Sequence, residues 1–174
     1  MITDKNEFSN LMTKIYRHGA TGALLDEYEK AITEVQQLIS DISDIELIKI
    51  IDDNTTDPSC KSIQTILAHV VCSGFCYAMD IRQFLGEKVE YPDDLLRFTI
   101  KDYNTDLNRF LAFTIETFKT IQDNQLEEFD NSKKIATPWG QVYDIEQMTE
   151  HAIVHVLRHR RQIEKFKIIL KKSL

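Results

Sequence analysis

Apolar residues recur along most of this chain at steps of three and four, the spacing that keeps side chains on one face of an α-helix. Tyr28, Ile32, Val35 and Leu38 form one such stripe and predict a first firm helix over 24–42. Ile63, Ile66, Val70, Ser73, Tyr77, Ile81 and Phe84 form a second. They predict a helix over 62–85 that begins after Asp57-Pro58 or after Ser62 and stops at Gly86. Proline suits a first helical turn, Asp or Ser suits the cap, and glycine suits the position just past the end. Leu107, Phe110, Leu111, Thr114, Phe118 and Ile121 predict a third helix over 99–122. The stripe Ile145, Met148, Ala152, Ile163, Phe166 and Leu170 predicts a last helix over 145–171, opened by a capping box of Asp144 and Gln147. Shorter stretches carry weaker patterns. A helix over 8–16, or an arm packed on the rest, fits 1–20; a helical turn fits 45–51, followed by a polar loop. Tyr91-Pro92-Asp93-Asp94 reads as a turn or crossover, and a polar connection ends at Pro138-Trp139-Gly140.

Four long amphipathic helices make this an all-α chain. Only 5 glycines and 3 prolines occur in 174 residues, too few for the many turns of a β-sandwich. The length fits one domain over 1–174 with a core large enough to stand without disulfides or structural metal. No run of about 18 apolar residues predicts a membrane span. The start, Met1-Ile2-Thr3-Asp4-Lys5, lacks the basic and apolar regions of a secretory leader. Cys60, Cys72 and Cys76 are an odd set, which argues against a disulfide framework and for a reducing, cytoplasmic setting. Cys72 and Cys76 lie one turn apart with nearly parallel Cβ vectors, so all three thiols are expected reduced.

The net charge of −7 repels phosphate backbones and anionic lipid, so neither nucleic acid nor membrane is an expected partner. The basic cluster Arg158, Arg160, Arg161, Lys165, Lys167, Lys171 and Lys172 has no interleaved aromatic residues to stack bases. It reads as the solvated face and dipole-matched end of the last helix.

The seam of that helix changes character in its middle. Where hydrophobes are due, the chain has His155 and His159. Two histidines four apart share a helix face, with Cβ atoms roughly 5–6 Å apart, and their imidazoles can converge on one ion at about 2.0–2.1 Å. His69 sits in the middle of the 62–85 helix beside Ile66 and Val70, so it points at least partly inward. Neutral imidazoles on a metal suit such positions, whereas charged ones are costly there. His69, His155 and His159 are therefore the candidate metal ligands. His151 lies about 80° from His159 around the helix, which makes it an alternate or neighbouring group. Ala152 and Val156 stand where a zinc-protease helix carries its Glu, so no general base accompanies the pair. Cys72, Cys76 and Asp80 share a stripe with His69; a thiolate or carboxylate could join the ion, although packing and solvation are the ordinary roles of such residues. Trp139 either walls the site or anchors the loop before the last helix. His18 falls in no pattern.

Two segments resemble a known family. Ser62-Ile63-Gln64-Thr65-Ile66-Leu67-Ala68-His69 looks like the motif with which DinB-like proteins reach a ligand histidine from a Ser-capped helix. Thr137-Pro138-Trp139-Gly140 and His155-Val156-Leu157-Arg158-His159-Arg160-Arg161-Gln162-Ile163 resemble that family's last-helix motif, in which two histidines four apart precede Arg-Gly-Gln-Ile. The resemblance spans about 24–170. It implies an up-down-down-up four-helix bundle, often a homodimer, holding a divalent ion such as zinc or nickel on three histidines. Better-understood members are thiol S-transferases or thiol-dependent isomerases that use low-molecular-weight thiols; others are described only as hydrolases. Arg161 departs from the family's Gly. It lies about 200° round the helix from His159, so it bears on packing or dimerisation rather than on the ligands.

Two functions follow from these residues taken with what the resemblance implies, the thiol, the reaction classes and the dimer coming from the resemblance alone. One is a metal-dependent enzyme, a hydrolase or thiol-dependent transferase, that activates a thiol or water against a small electrophilic substrate. The other is a non-catalytic, dimeric helical module whose histidines hold a structural metal or none. A fourth protein ligand closing the site would favour the second; an open position would favour the first.

Overall fold

The computed structural model describes residues 15–93 and 95–172, and over them the chain is mainly helical. Five α-helices are present among the described residues: α1 (Gly19–Ile39), α2 (Asp44–Ile48), α3 (Ile63–Phe84), α4 (Ile100–Phe118) and α5 (Ile145–Lys172). Single 3-10 turns occur at Pro58–Cys60, Asp123–Gln125 and Asn131–Lys133, and one two-stranded hairpin pairs Ile135–Ala136 with Val142–Tyr143. The helix anticipated at 8–16 lies outside the described residues except for Ile15 and Tyr16, which are not helical. No described helix is long and apolar enough to cross a membrane.

Local chemistry explains where the ends depart from the hydrophobic pattern. α1 begins at Gly19, five residues before the expected start. Its free amides are capped from far along the chain: the Asp123 carboxylate accepts from the Ala20 and Thr21 amides at 3.0 Å each and from the Thr21 hydroxyl at 2.7 Å. α1 ends at Ile39 rather than 42 because Ser43 opens a new helix, with a reciprocal Ser43–Glu46 capping box. Both proposed starts before α3 are used: Asp57 caps the short Pro58–Cys60 turn, and Ser62 caps α3 with Thr65 as its partner. α3 closes at Gly86, whose φ of +92° lets the Gly86 and Glu87 amides return to the carbonyls of Gln83 and Arg82. α4 stops at Phe118, not 122, and Ile121 is buried from the turn that follows.

α1 and α3 each pack along both α4 and α5. The buried stripes face inward as the spacing requires: Tyr28, Ile32 and Val35 on α1; Ile63, Ile66, Val70, Tyr77 and Ile81 on α3; Leu107, Phe110 and Phe118 on α4; Met148, Ala152, Ile163 and Phe166 on α5. Phe84, taken as the end of the α3 stripe, is instead 44% exposed, because it lies in the last turn beyond the packed length. Two polar anchors set the register of α3 against α4. The Tyr103 hydroxyl donates to the Gln64 carbonyl at 2.8 Å, and the Gln64 side-chain amide donates to the Arg97 carbonyl at 2.8 Å.

α3 and α4 approach closely at Gly74. A Cβ there would stand 2.7 Å from Cδ2 of Phe110, a fully buried ring. Gly74→Ala tests this contact. Alanine is the better helix former by about 1 kcal/mol, yet overpacking a full core costs roughly 1–3 kcal/mol. The substitution is expected to lower the urea midpoint; a raised midpoint would show slack between α3 and α4.

Candidate metal centre

α5 is fixed at its start and along one flank, and this aims its histidines. Asp144 accepts from the Gln147 amide at 2.8 Å while the Gln147 side chain accepts from the Asp144 amide at 3.2 Å, the anticipated capping box. Lys134 Nζ bridges both side chains, at 3.2 Å from Asp144 and 3.1 Å from Gln147. Farther along, Arg160 pairs with Glu34 at 2.7 Å and Lys167 with Asp41, so part of the C-terminal basic cluster is spent on α1. With that flank held against α1, the His155–His159 flank turns toward α3, where His69 lies five residues before Gly74, about one and a half turns.

The three imidazoles converge. His69 Nε2 and His155 Nε2 are 3.0 Å apart, and one ligand nitrogen from each of His69, His155 and His159 lies within 4.8 Å of the others. Ring centroids are 4.9 Å apart for His69–His155, 5.0 Å for His69–His159 and 4.5 Å for His155–His159. Two imidazoles on a tetrahedral ion at about 2.0–2.1 Å would have nitrogens roughly 3.4 Å apart. The His69–His155 spacing is within a few tenths of an ångström of that value; without an ion the same pair shares a proton.

His159 supplies the sharper observation. Its Nδ1 lies 3.1 Å from Oε1 of Gln162. A carbonyl oxygen only accepts, so Nδ1 carries the hydrogen and Nε2 is left with a lone pair. That Nε2 is buried and has no hydrogen-bond partner among the described residues. An orphaned buried acceptor costs about 1–3 kcal/mol. A cation at the centre of the cluster would satisfy it, so the donor set fits a divalent ion.

The surroundings hold the rings neutral. Burial, then the neighbouring His159 and His69, push the His155 pKa down to about 2. Burial and His69 lower His159 to about 4, against a smaller upward pull from Gln162. From ordinary histidine values, protons would compete with metal from about pH 6.5; for His155 and His159 the structure moves that competition down to about 4 and below.

The other candidates stand apart from this group. His151 is stacked on Trp139 with centroids 5.6 Å apart, its Nδ1 is 3.3 Å from the Tyr143 hydroxyl, and its ring is 6.4 Å from that of His155. It is a neighbour of the cluster and no part of it. Cys72 faces the Pro92 carbonyl at 3.7 Å, with its sulfur 4.0 Å from that of Cys76; Asp80 accepts from the Tyr91 hydroxyl at 2.6 Å. None of the three joins the histidines among the described residues. Trp139 is 47% exposed and stacks on His151; Tyr77 lies 6.2 Å from it and 5.6 Å from His155, centroid to centroid. Sequence reasoning missed Gln162 as a functional group, although its place three residues past His159 carried the signal. It also missed the hairpin, whose strands are two residues each, and Cys60, whose thiol is 3.6 Å from Gln162 Oε1. Arg161 is exposed.

The chain matches no protein-family model and no curated protein.

The lowered values of His155 and His159 make stability depend on pH. The unfolded chain takes up protons near 6.5 that the folded chain refuses, so the metal-free protein is most stable above that pH and loses stability as pH falls toward about 4. The slope approaches about 1.4 kcal/mol per pH unit for each histidine. Urea midpoints of the metal-free protein should fall between pH 6.5 and 4.5, and a His155→Gln, His159→Gln variant should flatten that fall. An equal fall in both proteins would contradict the assignment.

Proposed function

We propose that this chain is a metal-dependent enzyme of the DinB-like type, with His69, His155 and His159 holding one divalent ion between α3 and α5. The observation that carries the reading is the buried, unpartnered Nε2 of His159, on a ring whose centroid is 5.0 Å from that of His69 and 4.5 Å from that of His155. The helix order, with two long helices, a crossover and two more, fits the family's up-down-down-up four-helix bundle, and a homodimer in the cytoplasm is part of the same reading. Three imidazoles suit zinc or nickel.

Three protein ligands leave at least one coordination position for a small molecule. The non-catalytic alternative calls for a fourth protein ligand, and no Cys, Asp or Glu joins the group among the described residues. When bound, the ion would supply a thiol or water of lowered pKa, a nucleophile near neutral pH. The remaining work falls to the chain. Burial keeps His155 and His159 neutral and ready to bind. Gln162 fixes the His159 tautomer and the ring's direction. Tyr77, His151 and Trp139 form the wall against which a small electrophilic substrate would rest.

Metal content after equilibrium dialysis against zinc tests the reading. About one ion per chain is expected for the native protein, none for His155→Ala or His159→Ala with helical circular dichroism retained, and an almost unchanged value for His151→Ala. Gln162→Leu keeps every ligand but should weaken binding about 10–100-fold. Full metal content in both alanine variants would refute the site.

A further inference from the structure

Cys72 and Cys76 stand one turn apart on α3, with their sulfurs 4.0 Å from each other. They face the segment that crosses from α3 to α4. The Cys72 thiol donates to the Pro92 carbonyl at 3.7 Å, and one turn beyond Cys76 the Tyr91 hydroxyl donates to Asp80 at 2.6 Å. His69 reaches the other way, to His155 on α5. The thiol pair therefore lies outside the histidine cluster, which no cysteine joins among the described residues.

Two sulfurs so placed have few uses open to them. All three cysteines are free, and the parallel Cβ vectors of a helical i,i+4 pair disfavour a disulfide. One soft atom can bridge them. Set about 2.3 Å from each sulfur, the ordinary length of a metal–thiolate bond, it would span the 4.0 Å gap at an angle of about 120°. Both cysteines are half-buried rather than sealed in the core, so such an atom can reach them.

Cys72 also opens onto a cavity of about 250 Å³ between α3, α4 and the crossing segment. Val71, Phe75, Met79 and Leu95 give it apolar walls. Its arginines are already committed: Arg97 and Arg109 both pair with Asp106, at 2.6 and 3.4 Å. An apolar cavity of roughly 150 Å³ is enough to bind benzene. The space beside the sulfurs thus suits an uncharged, apolar group of ring size.

We propose that Cys72 and Cys76 form a dithiol site, distinct from the histidine centre, for a soft trivalent atom that carries an apolar substituent, an organoarsenical being the type. An arsenical of the form R–As=O takes both thiols. Two As–S bonds form, the As–O double bond breaks, and the two thiol protons leave with the oxygen as one water. Arsenic stays trivalent, so no oxidant or reductant is needed. The substituent on arsenic then lies in the cavity. Neither the thiols nor the cavity depends on whether the histidines hold metal.

The test uses the full-length protein and phenylarsine oxide, with excess 2-mercaptoethanol present to strip any arsenic held by a single thiol. Intact mass should show one phenylarsenic group per chain. In the native protein the arsenical should protect Cys72 and Cys76, and not Cys60, from iodoacetamide. Cys72→Ser and Cys76→Ser, with helical circular dichroism retained, should each weaken binding about 100-fold or more, the gain that a second linked donor supplies. Cys60→Ser should change nothing. Measured against dithiothreitol as the reference dithiol, the phenyl compound should bind about tenfold better than its methyl counterpart, because the ring is buried in the cavity. No adduct in excess monothiol, protection of Cys60 in place of the pair, or binding that survives either of the two serine variants at the pair overturns the site. Equal referenced affinities for the two arsenicals overturn the place given to the substituent.

Discussion

Three imidazoles meet at one point in the seam between α3 and α5, and two of them, His155 and His159, are only 5% exposed. The seam admits them in their neutral form alone, because there is little water to solvate a charge and each ring would repel its neighbours' protons. Each neutral imidazole carries one N–H and one lone pair, so a hydrogen spent outside the cluster leaves a lone pair without a partner inside it. His69 and His155 can satisfy each other, but Gln162 has already fixed the hydrogen of His159 on the far side of its ring. The leftover lone pair is a standing cost in the folded protein that a cation removes.

The surrounding structure reads as the means of holding that cluster in place. α5 cannot roll, since Arg160 and Lys167 tie one flank to α1 while the Asp144–Gln147 box and Lys134 fix its start. α3 cannot slide, since Gly74 lets it seat against Phe110 and Gln64 is bonded to α4 and the segment before it. Ligands on two rigid helices need no loop to order before binding, which is the condition for a site with a position left open to a small molecule. The hairpin adds a last piece of the wall, carrying Trp139 to His151.

Much of this was legible from residue spacing. Helix stripes follow from burial, and burial is what periodicity measures, so α3 and α5 were placed within a residue or two and the i,i+4 pair of histidines stood out against its own seam. Caps made by near neighbours, such as Ser62 and Asp144, were equally readable. The early start of α1 was not, because its cap is Asp123, about a hundred residues away. The exposure of Phe84 depends on how far α4 extends alongside α3, which no local pattern records. The proton affinities of His155 and His159 also depend on burial and contacts between helices, which lower both well below the ordinary histidine range. Gln162 stands in the sequence only as a member of the His155–Ile163 motif; its bond to His159 depends on side-chain geometry that no motif records.

X-ray absorption at the zinc edge of the reconstituted protein bears most directly on the central claim, because it counts and identifies the atoms around the ion. The account predicts a nitrogen and oxygen shell at about 2.0–2.1 Å with the outer scattering of three imidazole rings and no sulfur from the protein. A sulfur shell at about 2.3 Å in the absence of added thiol, or fewer than two imidazoles, would mean that the ion is held elsewhere and that the three histidines are not its site.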